Sequence, residues 1–182
     1  MKRSFCVWQL VGFGAVSILG TLLHFLYDWS GNSWFVGIFS AVNESIWEHM
    51  KLLFFPLLAF SMVEYWAIGR KYDGFWCVKL LGSIIGLSLI PVLYYSYTGI
   101  WGKSLDWINI GIFYVAAATV FRVECFLIER LKNCKGWSLL GLIFIGFTFV
   151  YFTFRPPHIP LFQDPVSGSY GYCRIFQTLL YW

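Results

Sequence analysis

The chain has only three histidines in 182 residues, and each stands near a carboxylate or a proline-rich turn: His24 before Asp28, His49 after Glu44 and Glu48, and His158 ahead of Asp164. Imidazole and carboxylate together make the usual ligand set of zinc. A catalytic zinc site typically takes three protein ligands and leaves one position open for water. A divalent ion held in this way supplies hydroxide near neutral pH. His24, His49 and His158 are therefore read as metal ligands, with Asp28 or Asp164 as a fourth ligand or an orienting partner. Glu44 or Glu48 is read as the general base. His24 and Asp28 are four residues apart, which puts them on one helix face and suits either role. The competing reading is that Asp28 caps backbone N–H groups in the turn "DWSGN" while His24 only packs.

The stretch "NESIWEHMK", residues 43–51, is the densest polar run in a chain of which only 12% is charged. Glu44, Glu48 and Lys51 follow i, i+4, i+7 and share a helix face. His49 is turned from Glu48 by about 100°, so one regular helix face does not present both to a single ion. Ser45 and Glu48 match the S-x-x-E capping box, in which the Ser side chain caps the helix and the Glu reaches back to the N-cap N–H. Acidic residues also suit the positive end of a helix dipole. Capping leaves Asn43, His49 and Lys51 without an account.

Composition decides what positions these residues. The chain is 59% hydrophobic and 22% aromatic, with a mean hydropathy of +0.68. This is the composition of an integral membrane protein rather than of a soluble domain. About 20 apolar residues cross the hydrocarbon core as a helix, and five stretches qualify: 7–27, 52–69, 78–97, 108–128 and 137–154. The second holds Pro56 and continues a helix that starts near Ser45. Residues 34–42 are apolar but too short to span, and read as an interfacial or re-entrant segment. The expected fold is an all-α polytopic bundle in a single domain, 1–182, closed by a Pro-rich C-terminal lid over 155–182. The run after Lys2 and Arg3 is too long for a typical signal-peptide core and lacks a small-x-small cleavage site, so it reads as a retained span.

Basic residues set the orientation. Lys2, Arg3, Arg70, Lys71, Lys79, Arg130, Lys132 and Lys135 fall at one set of span ends, against Lys51, Lys103, Arg155 and Arg174 at the other. The positive-inside rule then places the N-terminus in the cytoplasm and the tail from Arg155 outside. All three histidines come to the extracytoplasmic side, with Asp28, Glu44, Glu48, Asp106 and Asp164. Cys6, Cys77, Cys125 and Cys134 fall toward the inner side and only Cys173 outside, so no intrachain disulfide is expected on the oxidising side. The net charge of +4 is spread over span ends and forms no patch for nucleic acid.

In the tail "RPPHIPLFQDPVSGSYGY", residues 155–172, four prolines predict an extended, non-helical segment. Its Ile159, Leu161, Phe162 and Tyr170 need burial, either as a lid presenting His158 and Asp164 or as an interfacial strap. Glu64 and Arg122 lie at matching depth in the second and fourth spans and predict a buried ion pair, with Glu64, Arg122 and Glu124 as the alternative of a proton or substrate path.

The segment "LLHFLYDWSGNSWFVGIFSAVNESIWEHMKLLFFP" (22–56), the tail "RPPHIPLFQDPVSGSYGY" and the short polytopic frame together resemble a family of small bacterial membrane proteins catalogued as a domain of unknown function. The resemblance implies a bacterial inner-membrane location and a stand-alone domain, and implies no activity. From the residues, the first functional reading is a membrane-embedded, metal-dependent hydrolase using a divalent ion such as zinc. Its substrate would be an amphipathic or lipid-linked molecule at the extracytoplasmic face. No HExxH, GxSxG, P-loop or dinucleotide motif narrows the reaction. The alternatives are a small-solute or proton-coupled transport or binding protein, alone or as an oligomer, and a non-catalytic membrane scaffold.

Overall fold

The computed structural model describes residues 2–131 and 136–172. Five long helices form the frame: α1 (Lys2–Trp29), α3 (Ile46–Ala67), α4 (Phe75–Trp101), α5 (Asp106–Leu127) and α6 (Trp137–Phe154), with a single short turn of helix, α2 (Trp34–Gly37), between the first two. All five are long and apolar enough to cross a membrane. Helices suit that environment because each satisfies its backbone N–H and C=O groups internally. Every expected span is present, and most are longer than the apolar run that signalled them. The second begins at Ile46, behind Ser45, as its cap predicted.

α3 is the central element. In its most apolar stretch 61% of the residues are buried, against 22% for α1. It packs on α1, α4 and α6, while α5 packs on α4 and α1. The α4–α5 contact is close because Gly82 and Gly86, four residues apart, both turn toward α5. A side chain at Gly86 would collide with Val120, so the small-xxx-small spacing lets the two backbones approach. The centre of the bundle is filled by Val16, Leu53, Phe54, Leu57, Leu87, Ala116, Ala117 and Val120.

Cys6 on α1 and Cys125 on α5 form a disulfide, with Cα atoms 5.3 Å apart. The sequence carries no signal for it. The partners are 119 residues apart, and only the packing of α1 on α5 brings them together. Both cysteines are expected toward the end that the Lys and Arg balance assigns to the cytoplasm, with no disulfide on the oxidising side. The bond found joins them at that same end, where disulfides are uncommon.

The tail leaves α6 and crosses the bundle end as an ordered strap up to Tyr172. Phe162 is buried between Trp47 and Phe152, with ring centroids 4.6 and 5.4 Å away. The Tyr172 N–H donates to the Thr153 carbonyl at 2.8 Å, and Asn43 Nδ2 donates to the Gly171 carbonyl at 3.3 Å. Gly171 has φ +58° and lies against Thr153 and Pro156, where a side chain would not fit. The rest of the expected lid, 173–182, lies outside the described residues, as do Lys132, Cys134 and Lys135.

Candidate functional site

The polar residues gather at two levels of the bundle, set by helix direction. α1 and α4 start at one end and α3 and α5 finish there, so Gln9, Glu64, Lys79 and Glu124 come to a common level. At the other end lie His24, Glu44, Glu48, His49 and Lys51. Along α3, Glu48 and Glu64 are 16 residues apart, or about 24 Å at 1.5 Å per residue.

At the histidine end two sites form from one short stretch. His24 in the last turns of α1, Glu44 in the loop before α3, and His49 in the first turn of α3 meet as a cluster, each offering one ligand atom within 4.8 Å of the others. Glu44 lies between the rings, with Oε1 3.9 Å from His24 Nε2 and Oε2 3.5 Å from His49 Nε2. The two imidazole centroids are 5.5 Å apart. In a tetrahedral site with bonds near 2.0–2.1 Å the ligand atoms stand about 3.3 Å apart, so an ion would have to draw this group, now spread over as much as 4.8 Å, together by up to about 1.5 Å. His49 Nδ1 lies 2.9 Å from the Ser45 carbonyl, which can only accept. Nδ1 therefore carries a proton, which in a neutral ring puts the lone pair on Nε2, the nitrogen 3.5 Å from Glu44. This is the carbonyl-oriented imidazole expected of a metal ligand. His24 Nδ1 is buried and has no hydrogen-bond partner among the described residues. Glu44 is 48% exposed, so the cluster opens to its surroundings.

Four residues on, Glu48 has a different fate. It is buried in an ion pair with Lys51 at 2.5 Å, and both side chains are at most 1% exposed. The ammonium also donates to the Gly37 carbonyl at 2.7 Å and to Thr153 Oγ1 at 2.9 Å. Thr153 in turn lies 3.0 Å from Glu48 Oε1, and the Val42 N–H donates to Oε2 at 3.1 Å. This network ties α2, α3 and α6 together and leaves Glu48 no free oxygen for base chemistry. The capping box is half formed. Ser45 Oγ accepts from the Glu48 N–H at 3.4 Å, while the Ser45 N–H is taken by Asn43 Oδ1 at 3.0 Å rather than by Glu48.

The remaining expected ligands stand elsewhere. Asp28 accepts from Asn32 Nδ2 at 3.2 Å, as a turn residue. His158 packs its ring on Tyr170 at 4.7 Å in the strap. Asp164 is buried as a turn former, accepting from the Val166 N–H at 2.8 Å and from Ser167 Oγ at 2.5 Å. The strap thus holds His158 and Asp164 by its own contacts, and the metal-competent group draws on His24 and His49 with Glu44 as a ligand.

The expected Glu64–Arg122 pair is corrected too. Arg122 is exposed, and Glu64 pairs with Lys79 at 2.6 Å and accepts from Gln9 Nε2 at 2.5 Å. Lys79 also pairs with Glu124 at 2.5 Å. Thr153, Gln9 and Lys79 are the residues that sequence reasoning missed. Lys79 was hidden because the apolar run read from 78 put it at a span end, whereas α4 begins at Phe75 and carries it one turn inside.

Residues 2–172 match the model of a family of unknown function, DUF6512, and the chain belongs to that family. No curated protein and no solved structure matched it.

Proposed function

We propose that this member of a family without an assigned activity is an integral membrane protein that binds a divalent metal ion such as zinc at His24, Glu44 and His49 and uses it for hydrolysis. The observation that carries this reading is the placement of one half-exposed carboxylate between two imidazoles, with His49 Nε2 turned toward it by the Ser45 carbonyl. A divalent ion held by His24, Glu44 and His49 would supply water activated toward neutral pH. Glu44 would ligate through one oxygen and take the water's proton on the other. In hydrolysis of an ester or amide, the proton held by Glu44 would pass to the departing alcohol or amine as the water's oxygen adds to the carbonyl carbon and the bond to the leaving group breaks.

The substrate class we infer is amphipathic or lipid-linked. An apolar groove of about 450 Å³ runs between α1 and α3, lined by Leu19, Leu23, Phe39, Phe55, Leu58 and Met62 among others. Leu23 adjoins His24 in sequence, so an acyl chain in this groove would bring its polar head toward the histidines. The balance of Lys and Arg favours an extracytoplasmic position for this end, and the family resemblance implies the cytoplasmic membrane of a bacterium. Transport finds less support, because the layer between the two polar levels is filled by Leu, Phe, Val and Ala side chains.

Elemental analysis of protein purified without chelator tests the proposal. One equivalent of zinc or a similar ion is expected in the wild type, and less than a tenth of that in Glu44→Ala and His49→Ala. Wild-type protein that stays metal-free after incubation with zinc, iron or manganese refutes it.

A further inference from the structure

The end of the bundle remote from the histidines holds a second buried polar group. Glu64 from α3 and Glu124 from α5 both contact the Lys79 ammonium from α4, at 2.6 and 2.5 Å, and no side chain of the three is more than 2% exposed. The rings of Phe5, Phe60, Phe75 and Phe121 surround the ammonium at 5.4–6.0 Å. Fully ionised, two carboxylates and one ammonium leave an unbalanced negative charge in an apolar, aromatic setting. Such a charge costs several kcal/mol.

Nothing else among the described residues supplies the missing positive charge. On α1 the facing group is Gln9, which is neutral, and Arg3 is exposed. On α5 and just beyond it, Arg122, Glu129 and Arg130 are exposed, and the Arg130 guanidinium lies over Phe126 at 4.0 Å. After α3, Lys71 is exposed and the Arg70 guanidinium stacks on Trp66 at 3.4 Å. Tyr72, packed on Phe5 at 5.2 Å, brings only a neutral phenol.

Two further atoms point to what completes the group. Among the described residues, Glu124 Oε1 and Gln9 Oε1 are buried acceptors without a hydrogen-bond partner, on residues 1% and 3% exposed, and Glu64 Oε2 meets the Lys79 ammonium only as an ion pair. Glu64 receives Gln9 and Lys79, whereas Glu124 receives Lys79 alone. Gly82 leaves room beside the free oxygen, since a Cβ there would come within 3.0 Å of Oε1. We infer that Glu64, Lys79 and Glu124 form a proton-binding site, in which the two carboxylates together hold one exchangeable proton and Glu124 Oε1 is the open acceptor. Proton uptake turns one carboxylate into a neutral acid and gives this acceptor-rich pocket a donor. The site is about 24 Å from the histidine cluster and does not depend on it.

Infrared difference spectroscopy of the full chain in lipid nanodiscs, comparing H₂O with D₂O at neutral pH, tests this directly. The wild type is expected to show one carbonyl band of a protonated carboxylic acid that shifts on deuteration. Glu64→Gln and Glu124→Gln should each lose it, because the remaining carboxylate then balances Lys79 one to one. Lys79→Met should double its area, because both carboxylates must then be neutral. A wild type without the band, or a band that survives in either glutamine variant, overturns the proposal. Collapse of both glutamine variants also overturns it, because the site already contains one neutral side chain of that shape.

Discussion

The two ends of the bundle use the same chemical groups in opposite ways. At the histidine end Glu44 is 48% exposed and stands 3.5 and 3.9 Å from its neighbours, too far for good hydrogen bonds. At the Lys79 end the carboxylates are at most 1% exposed and in direct contact with a cation. Loose, accessible groups cost little to keep and remain free to take a ligand. Tight, buried groups hold each other, and removing one strands the rest. Glu48 shows that the difference belongs to the environment and not to the sequence neighbourhood, since it stands four residues from Glu44 and behaves like the buried set.

Substitutions can break or sharpen that contrast. The largest effect is expected for Lys51→Met, which leaves Glu48 buried without its cation and should destabilise the fold by about 3–5 kcal/mol. Reversible unfolding in mixed detergent measures this, and Glu48→Gln combined with Lys51→Met should recover part of the loss. Asn43→Ala removes the bonds to Ser45 N–H and Gly171, costs about 1 kcal/mol, and should let protease trim the strap faster. Glu44→Ala should change stability by less than about 1 kcal/mol. Its metal affinity should nevertheless fall by more than the roughly 10–100-fold that losing a supporting hydrogen bond costs, as read by competition with a chelating dye. His158→Ala should leave both quantities unchanged, because its ring contacts Tyr170 and not the cluster. A loss of metal in His158→Ala would bring the strap back into the site.

What the sequence made legible was whatever depends on local order. Hydropathy gave five spans, and Ser45 marked the start of α3 because an N-cap acts within one turn. Partner choice was another matter, since hydropathy fixes depth and leaves helix rotation open. Arg122 and Glu124 lie at nearly the same depth on α5, yet two residues turn a helix by about 200°. With Glu124 facing α4, Arg122 must face outward. His49 was legible as the residue that capping left unexplained. Its union with His24 was not, because it depends on how α1 leans against α3. Thr153 carried no signal at all, being an ordinary threonine in the last turn of an apolar helix.

The charge arrangement at the Lys79 end has a consequence for biosynthesis. Glu64, Lys79 and Glu124 sit on three successive spans, α3, α4 and α5, and the chain emerges in that order. A nascent α3 released alone would carry Glu64 into lipid without a counter-charge, whereas a hairpin of α3 and α4 is already neutral at that level. The helices should therefore leave the insertion machinery as a pair, and α5 should join only when a groove lined by Gly82 and Gly86 is ready to receive it.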